Sequence, residues 1–74
     1  MGVVVVKMRL QCPEFSVDMR VADFGGAWLA SADTPNGPTL GRGRSALSAA
    51  IHALAPFDGY VEDLIRSAPP ELFQ

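Results

Sequence analysis

Gly41-Arg42-Gly43-Arg44-Ser45-Ala46-Leu47-Ser48-Ala49-Ala50-Ile51-His52-Ala53-Leu54 decides the fold. It reads as the end of a strand, a tight glycine turn and then a helix. Ser45 stands where an N-cap is needed, because its hydroxyl can accept from the free N–H groups of the first helical turn. From there Leu47, Ala50, Ile51 and Leu54 recur at i, i+3, i+4 and i+7, one stripe of an α-helix. A second stripe, Ala46, Ala49, Ala50 and Ala53, is small enough to let another backbone approach closely. The side carrying Ser45, Ser48, Ala49 and His52 holds no formal charge, and none occurs between Arg44 and Asp58. Solvated helix faces normally carry several charges. Either this is an alanine-rich helix with a neutral surface, or it is covered on two sides, by its own sheet and by another element or subunit.

The chain before this stretch reads as strands. Val3 to Leu10 is β-branched and free of turn formers. Val4, Val6, Met8 and Leu10 share one face, and Val5, Lys7 and Arg9 share the other. Cys12-Pro13-Glu14 ends it. Phe15 to Ala22 alternates apolar and polar residues, the pattern of a half-buried antiparallel strand. Asp23-Phe24-Gly25-Gly26 turns the chain, and Ala27 to Asp33 returns around Trp28. Thr34-Pro35-Asn36-Gly37-Pro38 predicts a surface loop, followed by a short strand over Thr39 to Arg42.

Beyond the main helix, Pro56 cannot continue it. Asp58 is placed to cap a second helix from Gly59 to about Ser67, with Val61, Leu64, Ile65 and Ala68 as its apolar stripe. Glu62 and Arg66 form an i,i+4 pair in the favourable order. Pro69-Pro70 stops that helix and leaves Glu71 to Gln74 as a tail. The expected fold is α+β: a small antiparallel sheet of three to four strands packed by one main helix plus a short C-terminal helix, in a single domain over 1–74.

Size narrows the function classes. A chain of 74 residues buries only about 60% of its unfolded surface. Its 49% apolar content also includes ten alanines, which bury little area. Self-association is therefore a route to stability, most simply as a two-fold dimer, with the Val3–Leu10 strand as an edge to be covered. Cys12 is the single cysteine, which excludes an internal disulfide and fits a reducing, cytoplasmic setting. A net charge of −2 argues against direct nucleic-acid binding, which needs basic surface for phosphates. The Val3–Val6 run is too short for a membrane span or a signal core.

Gly41-x-Gly43-x-x-Ala46 matches the glycine fingerprint of dinucleotide sites, with Glu62 downstream. Its context does not, since such a site needs parallel strands on both sides of the helix. A lesser version remains: Arg42, Gly43, Arg44 and Ser45 form an alternative anion-binding turn at a helix start. His52 is the only histidine and has no metal-ligand spacing around it. Cys12 lacks a motif that would lower its pKa, and Glu62 and Asp63 diverge on adjacent helix positions. The expectation is no enzyme, no catalytic residues, no cofactor and no metal.

Val17-Asp18-Met19-Arg20-Val21, Gly25-Gly26-Ala27-Trp28-Leu29-Ala30-Ser31, Pro35 to Gly37, and Gly43-Arg44-Ser45 leading into Ala49-Ala50 together resemble the HicB-like antitoxin domain over about half the chain. Arg44 stands where that family favours an acidic or polar residue, Ser48 stands where it often has Glu, and Val3 to Leu10 is an extra strand. The resemblance implies an interaction domain that binds and masks a small RNA-cleaving toxin and associates with itself. A DNA-binding module of the kind that often follows such domains is not expected after Pro69-Pro70. A small basic partner of that kind would be drawn by acidic groups, for which Asp18, Asp23 and Asp33 are the candidates.

Overall fold

The computed structural model describes residues 4–69. Four strands, β1 (Val5–Gln11), β2 (Ser16–Asp23), β3 (Trp28–Thr34) and β4 (Gly37–Gly43), form an antiparallel sheet in the order β1-β2-β3-β4. Two α-helices follow, α1 (Ala46–Ala53) and α2 (Val61–Arg66), joined by a 3-10 segment over Ala55–Tyr60. The fold is the expected α+β arrangement. No helix among the described residues is long and apolar enough to cross a membrane.

Strand alternation divides the sheet into a covered and an open face. Leu10, Val17, Met19, Val21, Ala30 and Ala32 point inwards and are essentially inaccessible to solvent. They meet Ala49, Ala50, Ala53, Leu54, Leu64 and Ala68 from the helical layer. Fully burying a Leu or Met side chain stabilises by about 1.5–3 kcal/mol, so Leu10, Met19, Leu54 and Leu64 are the principal anchors of this small core. At one end Phe57 adds an aromatic cluster, its ring centroid 5.0 Å from that of Phe15, which lies 5.2 Å from Tyr60.

Three expectations are corrected. The Thr34–Pro38 loop is a two-residue turn, Pro35-Asn36, between Thr34 and Gly37, which are paired in register. The Thr34 hydroxyl accepts from the Asn36 N–H at 3.1 Å and donates to the Gly37 carbonyl at 2.5 Å. Gly37 adopts φ +107°, a region that L side chains rarely enter. With the turn so short, β4 runs the full seven residues rather than Thr39 to Arg42.

The second correction concerns Asp58. It lies inside the 3-10 segment, and α2 starts at Val61 with Tyr60 at its N-cap position and no side-chain cap. Burial of Phe57 against Phe15 holds the chain in that segment before α2 can begin. The Glu62–Arg66 pair is present at 2.7 Å. Val3, and the tail from Pro70, lie outside the described residues.

The third correction decides the shape of the helical layer. Gly41 and Gly43 do not make a turn; both lie in β4 without positive φ. A Cβ on Gly41 would stand 2.2 Å from the Ala49 carbonyl oxygen and 2.3 Å from the Ala53 nitrogen. A Cβ on Gly43 would stand 2.4 Å from Ser48 Oγ. The backbone that approaches the alanine stripe is therefore β4 of the same chain. The helix turns its alanines inward, and of the Leu47-Ala50-Ile51-Leu54 stripe only Ala50 and Leu54 are buried.

Candidate functional site

Asp18 and Asp33 are brought together and Asp23 is not. Asp18 pairs with Asp33 in register between β2 and β3, on the sheet face opposite the described helices. Asp23 has the opposite parity, and its carboxylate accepts from the Gly25 N–H at 2.8 Å, holding the β2–β3 turn. Directly opposed like charges repel, and each carboxylate has a cation beside it. Arg9 Nε donates to Asp18 at 2.9 Å, and Arg20 stands 3.9 Å from Asp33. The Asp18 hydrogen bond and charge hold the Arg9 guanidinium above its ordinary pKa. By register, Lys7, Arg9, Arg20 and Arg42 share this open face with the two aspartates. The acidic pair thus sits in a face where cations outnumber carboxylates four to two, which opposes long-range attraction of a basic partner.

The alternative anion site is largely occupied by the protein itself. Ser45 Oγ accepts from the Ser48 N–H at 3.1 Å, the N-cap read from the sequence. Gly43 lies under Ser48, and the Arg42 carbonyl is bonded to His52 Nδ1 at 2.5 Å. Arg42 belongs to the open sheet face, whereas Arg44 lies in the bend between β4 and α1. Cys12 Sγ donates weakly to the Phe15 carbonyl at 3.5 Å and is half-buried. Among the described residues no cluster of three His, Cys, Asp or Glu side chains has the arrangement to hold a metal ion.

A different surface stands out in the helical layer. Because α1 buries its alanines, Leu47 and Ile51 are turned away from the sheet, with Ile51 41% exposed. Beside them on α2, Val61 and Ile65 are only half-buried. These four side chains line a groove of ≈ 620 Å³, bounded by Asp58, Glu62 and Arg66. The Arg66 charge is already engaged by Glu62, so the remaining charge of the rim is the Asp58 carboxylate. Both stripes of α1 are visible in the sequence. The signal that chooses between them is the alternation Gly41-x-Gly43, which leaves the helix-facing side of β4 bare at those two positions and admits only small residues of the helix there. Comparison with protein-family models, curated proteins and solved structures finds no match.

Proposed function

We propose that the protein is an interaction domain without catalytic groups of its own, which holds a small basic partner protein in the α1–α2 groove. The observation that carries this reading is the orientation of α1, which spends its alanines on the sheet and presents Leu47 and Ile51 outwards beside Val61 and Ile65. An apolar groove with an acidic rim suits an amphipathic segment with basic flanks, whose apolar side chains supply affinity while charge adds selectivity. The HicB-like resemblance supplies the class of partner, a small RNA-cleaving toxin that the domain would mask. On this reading the groove takes the role first assigned to Asp18, Asp23 and Asp33.

The two surfaces are separable by experiment. The tagged protein, the Ile51→Lys variant and the Asp18→Lys/Asp33→Lys variant are expressed in the native cell and purified with whatever they hold. A small basic protein retained by the parent and by the sheet variant, but lost by Ile51→Lys, is the expected result. RNA cleavage by that protein, suppressed when the domain is added back, completes the reading. Retention by Ile51→Lys together with loss by the sheet variant would return the docking site to the sheet.

A further inference from the structure

We infer that the outer edge of β1 is a strand-addition site, which takes an antiparallel extended segment of a partner protein carrying an acidic residue between two apolar ones. This surface is distinct from the α1–α2 groove. The hydrogen-bond parity of β1 fixes which groups the edge offers. The Cys12 N–H donates to the Phe15 carbonyl at 3.0 Å, so these two residues form a bonded pair at the β1–β2 connection. Antiparallel pairs alternate between those that bond each other and those whose N–H and C=O groups point away. Counting back along the register, Leu10, Met8 and Val6 bond β2, and Gln11, Arg9, Lys7 and Val5 point outwards. Gln11 agrees, since its N–H is donated to Ser67 Oγ at 2.8 Å. Because β1 begins the sheet order, the outward groups of Val5, Lys7 and Arg9 face no other strand among the described residues.

The two edges of the sheet are treated differently. On β4, Pro38 has no N–H to offer and the Arg42 carbonyl is bonded to His52 Nδ1, two obstructions to an added strand. β1 has no proline along its seven residues. The helical layer also sits off-centre. α1 packs on β4 and β3, and α2 meets β1 where Ser67 holds Gln11. On the helix side of β1, Leu10 is therefore buried while Met8 and Val6 are only half-buried. Apolar side chains on an added strand would lie beside those two and extend the core past the edge.

Charge selects the occupant. Lys7 stands opposite Arg20 in register, a like-charge pair, and Arg20 has its carboxylate on the far side, Asp33 at 3.9 Å. Among the described residues no carboxylate lies within ion-pair distance of Lys7. An acidic residue bonded opposite Lys7 falls on the same open face and relieves that repulsion. Its two neighbours in the segment then fall opposite Val6 and Met8, on the helix side. A second copy of β1, the occupant expected from the sequence, fits poorly. Two-fold pairings centred on Lys7, Met8 or Arg9 each set cation against cation. Lys7 and Arg9 thus exclude β1 itself while admitting an acidic strand.

The test is fluorescence anisotropy with a labelled peptide of alternating valine and glutamate, and with its valine–lysine counterpart, on the full chain. The parent is expected to bind the acidic peptide and not the basic one. Lys7→Glu is expected to weaken binding about tenfold, with an unchanged circular dichroism spectrum. Arg42→Glu, on the same face at the opposite edge, should change it less than about twofold, and Ile51→Lys should leave it unchanged, which keeps this site apart from the groove. In the antiparallel register the glutamate N–H groups face β1 and the valine N–H groups face away. Methylating the glutamate nitrogens is therefore expected to abolish binding, and methylating the valine nitrogens to preserve it. Failure of the parent to take the peptide, as a monomer or as a dimer, would overturn the inference. So would equal losses from Lys7→Glu and Arg42→Glu, or binding that survives methylation of the glutamate nitrogens, since either would reduce the contact to charge alone.

Discussion

Gly41→Ala is the sharpest probe of how α1 sits on the sheet. The added methyl would lie 2.2 Å from the Ala49 carbonyl oxygen, 2.3 Å from the Ala53 nitrogen and 2.9 Å from the Ala53 Cα. All three are backbone atoms, so no rotamer change relieves the contact. Ordinary van der Waals contact begins near 3.4 Å, and the helix would have to lift by about 1.2 Å at this point. A lift of that size loosens Ala49, Ala50, Ala53 and Leu54, all fully buried at present. Overpacking of a well-packed site costs about 1–3 kcal/mol, occasionally more, and the rigid obstruction puts this change at the upper end. A chain of this length has roughly 4–11 kcal/mol of stability in total, so the loss is a large fraction of it. Urea unfolding followed by circular dichroism measures it as a fall in midpoint at constant slope. Gly59→Ala is the control, since a Cβ there meets nothing within 4 Å and its φ is not positive; it should be neutral or stabilising by up to about 1 kcal/mol. Equal effects from the two substitutions, or a cost below about 1 kcal/mol at Gly41, would refute the close-approach argument.

Three further outcomes follow from the same geometry. Ser45→Ala removes the acceptor of the Ser48 N–H and should cost about 0.5–2 kcal/mol, read from the same unfolding curves. Leu54→Ala empties a fully buried site and should cost about 2–5 kcal/mol, whereas Ile51→Lys, on the outward side of the same helix, should stay within about 0.5 kcal/mol of the parent. Asp23→Ala loses the acceptor that holds the Gly25 N–H and should speed amide exchange in the β2–β3 turn, while leaving binding of a basic partner unchanged if that partner sits in the α1–α2 groove.

Much of this protein was legible without coordinates, because the signals are local. The alternation from Phe15 to Ala22 placed Val17, Met19 and Val21 inside, since a strand has only two faces. Ser45 declared the start of α1 through its capping chemistry, and Pro56 its end. The Asp23–Gly26 turn and the Glu62–Arg66 pair likewise depend on neighbours within a few residues. What the tertiary structure decided were choices between locally equivalent options. Two stripes of α1 could have faced the sheet, and the alanines did, because β4 presents Gly41 and Gly43 and only a small-residue face can seat on bare backbone. That choice left Leu47 and Ile51 outside and made a groove no single helix pattern shows. The candidate aspartates divided for the same kind of reason. Asp18 and Asp33 meet across β2 and β3 while Asp23 falls on the other face, because residues far apart in the chain become neighbours only through strand register. Side-chain periodicity specifies which residues share a face of one element; which face meets which is set by the fit between elements, and that is a property of the assembled layers.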